Sequence, residues 1–314
     1  MLSIPDPLLM ESSARPAARQ CDTLGEVALP ASIQRIAPFP KLALELLRRV
    51  PTINSEENEL RRMLEPEPKL IVEVTRVVTG GSASLAGDVK LDTLLEELGP
   101  AKLAEITFTI LVRDYMRRTF DVSEGWSYWR YTLACAFCCA EVAPPNPPKR
   151  LAAYTAGLLH DIGRLALVAS YPDRYANLLA LIDRMFEADQ PFDVSRQETL
   201  LFGMDRFATG GWLAAAWELP PWLRPVVGKF EKAVPDKENL VETIRAGTRI
   251  ANSLGFGYLK AAPRMQIRKI LSGLPAAFDH WKALDQWQLG EEHMQAKIQA
   301  ALSLFGVGPP ESEK

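Results

Sequence analysis

Histidine is scarce in this chain of 314 residues: His160, His280 and His293 are all it has. A hydrolytic metal centre needs about four to six ligands, so imidazoles alone cannot build one here. Cysteine is nearly as rare. Cys21, Cys135, Cys138 and Cys139 show no secreted-type spacing, which suits reduced thiols in the cytoplasm better than a disulfide framework. No stretch approaches the roughly 20 apolar residues of a membrane span. The opening "MLSIPDPLLMESSARPAARQ" lacks a cationic start followed by an apolar run, so neither export nor anchoring is expected. Basic charge is not in excess either. With a net charge of -3 and a pI near 5.8, the chain has no overall field for nucleic acid or an anionic membrane.

What is present is a large apolar complement, 47% hydrophobic against 24% charged, enough for one large or two moderate domains. Apolar residues recur at three- and four-residue spacing, as in Leu42, Leu46 and Leu47, or Leu70, Val74, Val77 and Val78. That is the helical period, and the expected class is all-α. Pro38 and Pro40, "EPEPK" at 65–69 and "APPNPPKR" at 143–150 punctuate the pattern. The spacing predicts helices over 41–50, 55–64, 67–79, 89–98, 100–119, 125–142, 148–169, 172–187, 205–218, 221–232, 238–254, 264–271, 275–287 and 291–304.

One short stretch stands apart, "GLLHDIGRLAL" at 157–167, which holds the only adjacent His-Asp pair, His160 and Asp161. On a helix the two side chains point about 100° apart, so the doublet is a metal site only if other elements complete it. As isolated residues they also suit a structural role, with Asp161 paired to Arg164 and His160 hydrogen-bonded in a semi-buried cleft.

Taken together, "IAPFPKLALELLRRV" at 36–50, "EPEPKLIVEVTRVV" at 65–78, "LLEELGPAKLAEITFTILVRDYM" at 94–116, "YWRYTLACAFCCAEVA" at 128–143 and "AYTAGLLHDIGRLALVASYPDRYANLL" at 153–179 resemble the HDOD family. That family is a bacterial signalling branch of the HD phosphohydrolase superfamily. The resemblance continues through "FGMDRFATGGWLAAAWELPPWLRPVVGKFE" at 202–231 and "IRAGTRIANSLGFG" at 244–257. It implies an N-terminal arm (1–28), an HDOD domain (29–257) of two packed helical lobes divided near residue 120, the second HD-like, and a helical extension (258–314).

The resemblance also locates the metal ligands of catalytic HD enzymes, and the chain departs from most of them. Tyr131 stands where the first histidine is expected, Arg206 where a later one follows, Lys229 and Phe230 at the end of a further helix, and Asn252 in place of an acidic ligand. Only His160 and Asp161 remain. Two cations near the site would repel a divalent ion by about 2 to 8 kcal/mol each at 4 Å. The expected reading is a vestigial cleft of Tyr131, His160, Asp161, Arg164, Arg206, Lys229 and Asn252, without metal, cofactor or catalysis. The chain is then a signalling or scaffold module whose partner is a regulatory protein. A metal-dependent phosphohydrolase and a nucleotide sensor using Arg164, Arg206 and Lys229 are the alternatives.

Three further features have plainer readings. "CAFCC" at 135–139 packs as small apolar thiols; "VVTGGSASLAGD" at 77–88 lacks the Lys-Ser/Thr ending of a phosphate loop; and the tryptophans belong to the core. The segment 258–269 carries Lys260, Arg264, Arg268 and Lys269, either a solvated face or a docking patch for an acidic partner.

Overall fold

Three of the described helices begin on side-chain caps. Asn146 accepts from the Lys149 amide at 3.2 Å, Asp193 from the Arg196 amide at 3.0 Å, and Asp205 from the Ala208 amide at 2.8 Å, each satisfying one of the free amides of a first turn. The structure, a computed structural model, describes residues 30–55, 57–80, 90–119, 122–229, 240–260, 264–274 and 290–305. The arm at 1–28 and the helix expected at 275–287, with Cys21 and His280, lie outside the described residues.

The N-terminal elements are α1 (Ala31–Gln34), α2 (Lys41–Arg49), a 3-10 turn (Val50–Ser55), α3 (Glu57–Leu64), α4 (Pro68–Val78) and α5 (Leu91–Thr119). Next come α6 (Val122–Val142), α7 (Pro147–Leu159), α8 (Ile162–Ser170), α9 (Pro172–Glu187) and α10 (Val194–Phe202). The series ends with α11 (Arg206–Ala216), α12 (Arg224–Lys229), α13 (Leu240–Ser253), α14 (Ile267–Ser272) and α15 (Gly290–Leu304). No strand occurs among the described residues, as the spacing predicts. No described helix is long and apolar enough to cross a membrane.

The two helices expected at 89–98 and 100–119 form α5, which breaks at Gly99 (φ 72°, ψ 163°) before Pro100. Two expectations needed correction. The helix predicted over 148–169 is really α7 and α8, interrupted at His160 and Asp161. The apolar periodicity runs through the break because both pieces are buried, so spacing alone could not show it. Helices α1 and α10 fall in no predicted range, their segments being short.

A single large apolar cluster runs from Phe39 in the N-terminal helices to Phe305 after α15. Within it α6 packs on α7 and α13, while α8 packs on α11. A smaller cluster joins Ile33 of α1 to Leu167, Val168, Tyr175, Leu178 and Phe202. Cys135, Cys138 and Cys139 are buried free thiols, and Trp126, Trp129 and Trp217 are buried in the large cluster.

The end of α15 is held by a charged clamp. Arg76 and Arg113 donate to the Leu304 and Phe305 carbonyls at 3.3 Å each, and both guanidinium groups also reach Glu73, at 2.8 Å. Cations at a helix C-terminus satisfy its free carbonyls and favour its dipole. The hydrogen bond from Arg76 first, and Arg113 after it, outweigh burial and lower the Glu73 carboxyl from the ordinary 4.5 to about 2. A carboxyl depressed on folding stabilises the fold fully above pH 4.5 and loses that contribution as the pH falls through about 2. The stability gap between the parent chain and Glu73→Gln should therefore close progressively from pH 5 to pH 2. Thermal melts at stepped pH check this, and a gap independent of pH would count against the clamp.

Candidate functional site

The break between α7 and α8 places His160 and Asp161 side by side in a turn, where Asp161 becomes the residue preceding α8 without capping it. Both are buried, at 4% and 7% exposure. His160 Nδ1 lies 2.8 Å from the Gly157 carbonyl. A carbonyl only accepts, so Nδ1 carries the proton and Nε2 presents a lone pair. That lone pair faces the Tyr131 hydroxyl, brought in from α6, at 3.2 Å. Burial lowers the His160 pKa and drives that of Tyr131 well above 10, so a neutral imidazole accepts from an intact phenol.

Both oxygens of Asp161 face guanidinium groups. Arg164 Nε donates to Oδ2 at 2.5 Å, and Arg206 Nε, on the first residue of α11, lies 3.8 Å from Oδ1. Arg206 in turn joins a second carboxylate. Glu198 of α10, with no exposed surface, accepts from the Arg206 amide at 3.0 Å, from Arg206 Nη1 at 3.2 Å and from the Tyr175 hydroxyl of α9 at 2.6 Å. Two carboxylates and two guanidinium groups thus form one buried network linking α8, α9, α10 and α11. Arg164 also lies 5.5 Å from the Tyr258 ring, whose edge contact with Tyr128 closes the aromatic side of the site. Among the described residues no three His, Cys, Asp or Glu side chains gather as a metal-holding group.

The family model described as HDOD domain matches residues 36–231. The chain belongs to the HDOD family. Among solved structures, an HDOD domain protein with unknown function from Geobacter sulfurreducens superposes with a TM-score of 0.62 at 17% identity, covering 87% of this chain and 93% of its own. A proposed phosphohydrolase from Shewanella amazonensis SB2B gives 0.58 at 20% identity, with 88% and 96% covered. A proposed signal transduction protein from Marinobacter aquaeolei VT8 gives 0.59 at 19% identity, with 88% and 64% covered. At these identities the likeness is one of fold. No curated protein matches the chain at a significant level.

Within this HDOD chain, Tyr131, His160, Asp161, Arg164 and Arg206 come together as the spacing of the family motifs implies. Asn252 is half-buried on α13, where its backbone carbonyl accepts from the Gly255 amide, and among the described residues no hydrogen bond joins it to His160 or Asp161. Lys229 ends α12, with its side chain outside the described parts of the structure. His293 is exposed on α15, far along the chain from the doublet. Glu198 and Tyr175 are the members that sequence reasoning missed. A signal existed, because Val194, Glu198 and Phe202 fall at four-residue spacing, which sets an acid in the middle of a helix's inward stripe.

Proposed function

We propose that this HDOD chain is a non-catalytic signal-transduction module acting through protein contacts, in which a proton and two guanidinium groups occupy the role of the superfamily's metal. The observation that carries this reading is the saturation of the doublet. The imidazole lone pair that would bind a metal faces the Tyr131 hydroxyl, and both Asp161 oxygens face arginines. Those residues do not fit a divalent ion. It would have to displace a phenol proton and approach two cations, each repelling a divalent ion by about 2 to 8 kcal/mol at 4 Å.

The nucleotide-sensor reading draws less support. Arg164 and Arg206 are each at most 8% exposed and already paired with carboxylates, which leaves an incoming phosphate little to gain. The buried thiols suit a reducing compartment such as the cytoplasm.

Purified protein incubated with Fe, Mn, Zn or Mg is expected to retain far less than one ion per chain after desalting, and to leave bis-p-nitrophenyl phosphate intact. Elemental analysis and an absorbance assay read the two outcomes. One tightly held ion per chain, lost in both His160→Ala and Asp161→Ala, would overturn the proposal.

A further inference from the structure

The segment 240–274 inverts the charge of the chain that contains it. It holds Arg245, Arg249, Lys260, Arg264, Arg268 and Lys269 against Glu242 alone, six cations less one acid, in a chain whose net charge is -3. The remainder therefore carries -8. Two of the six cations are paired, Arg245 with Glu242 at 2.6 Å and Lys260 with Asp183 at 3.5 Å. The other four, Arg249, Arg264, Arg268 and Lys269, are exposed and form no ion pair among the described residues.

Geometry gathers these four on neighbouring elements. The Ser253 hydroxyl donates to the Arg249 carbonyl at 2.9 Å and accepts from the Met265 amide at 3.0 Å. This fastens the strand of chain entering α14 to the last turn of α13. Ile267, Ile270 and Leu271 are buried, so α14 turns its apolar stripe inward and leaves Arg268 and Lys269 outward. Met265, 39% exposed, stands beside Arg264. Glu291 and Glu292 begin α15, whose Gln295 donates to the Leu254 carbonyl at 3.1 Å; neither forms an ion pair with the four cations.

We infer that Arg249, Arg264, Arg268, Lys269 and Met265 form the docking face for an acidic segment of a partner protein that also carries an apolar side chain. The cations lie on α14, its entry and the last turns of α13, and the -8 on the rest of the chain opposes the approach of a long uniform polyanion, whereas a short acidic segment meets the cations alone. An exposed methionine amid charges gives an adaptable apolar contact that a phosphate backbone would not use. The inference rests on the non-catalytic reading only in placing specificity at the surface.

The test uses the full chain and a fluorescein-labelled twelve-residue peptide of glutamates around a central Leu-Phe pair, followed by anisotropy at 50 and 200 mM salt. A 20-base-pair DNA duplex and phosphatidylserine vesicles serve as parallel probes. The expected results are a Kd at least fivefold weaker at the higher salt, at least tenfold weaker for Arg249→Glu with Arg264→Glu and Arg268→Glu, and at least tenfold weaker for DNA and vesicles than for the peptide. Met265→Ser should weaken the peptide by a similar factor at both salts. Circular dichroism controls for folding, and the corresponding three glutamine substitutions replace the glutamates if the first variant fails to fold. Peptide binding that ignores the substitutions, or tighter binding of DNA or vesicles through the same arginines, would overturn the inference. Metal content separates the two readings: a stoichiometric ion with peptide binding intact sinks the non-catalytic reading alone, and a metal-free chain that ignores the peptide sinks this one alone.

Discussion

Replacing Glu198 with alanine is expected to lower the unfolding free energy by about 3 to 5 kcal/mol, the range for removing one partner of a buried ion pair. The carboxylate accepts three hydrogen bonds and has no exposed surface, so its loss strands the Tyr175 hydroxyl and part of Arg206 where water cannot replace it. Glu198→Gln keeps the volume and one acceptor, and a loss nearer 2 kcal/mol is expected because a bond to a charged group is weakened and not deleted. The decisive comparison is the double variant Glu198→Leu with Arg206→Met. It removes both charges and fills the space, and a buried pair replaced by apolar groups is often neutral or better. Urea titrations should place the double variant above Glu198→Ala in stability. A double variant weaker than the single one would mean that the network is not governed by stranded charge.

The helical class was legible because amphipathic spacing survives wherever one face is buried, as along α2, α9 and α13. The proline punctuation at 143–150 marks a start that holds in the structure, α7 beginning at Pro147 behind the Asn146 cap. The break at His160 was not legible. Residues from Leu151 to Val168 are buried almost without interruption, so hydrophobicity carried no phase with which to detect it. Half of the site could be read through the doublet and its arginines, because an acid three residues before an arginine is a local pattern. The other half depends on α10 returning to the doublet, and a contact between Glu198 and Arg206 across a turn at Gly203 (φ 82°) is set by tertiary packing. Asn252 shows the converse limit: it stands at a motif position, yet among the described residues no hydrogen bond joins it to His160 or Asp161.

Gly163→Ala should be comparably damaging, at about 3 kcal/mol or more, although alanine is the better helix former by about 0.8 to 1 kcal/mol. The reason is the approach of α8 to α11. A Cβ on Gly163 would overlap the Arg206 carbonyl oxygen and lie 2.5 Å from the Gly210 amide nitrogen. Both obstacles are backbone, so no side-chain rotation relieves the overlap, and the helices must separate. Overpacking of a methyl group costs about 1 to 3 kcal/mol where side chains can yield, and this contact sits at or beyond the upper end. Separation would also stretch the 3.8 Å approach of Arg206 to Asp161, coupling the packing defect to the ion network. Gly211→Ala is the matched control on α11. Its Cβ would meet only the Gly228 Cα at 3.7 Å, an ordinary contact, so the helix preference prevails and stability should hold or rise by up to about 1 kcal/mol. Denaturant midpoints for the two variants should therefore move apart. Near-ultraviolet circular dichroism should change only for Gly163→Ala, because Tyr128, Tyr131 and Tyr258 pack around the site that α8 helps to form. Equal small shifts for both variants would show that α8 and α11 tolerate separation and that the glycine is not what sets their distance.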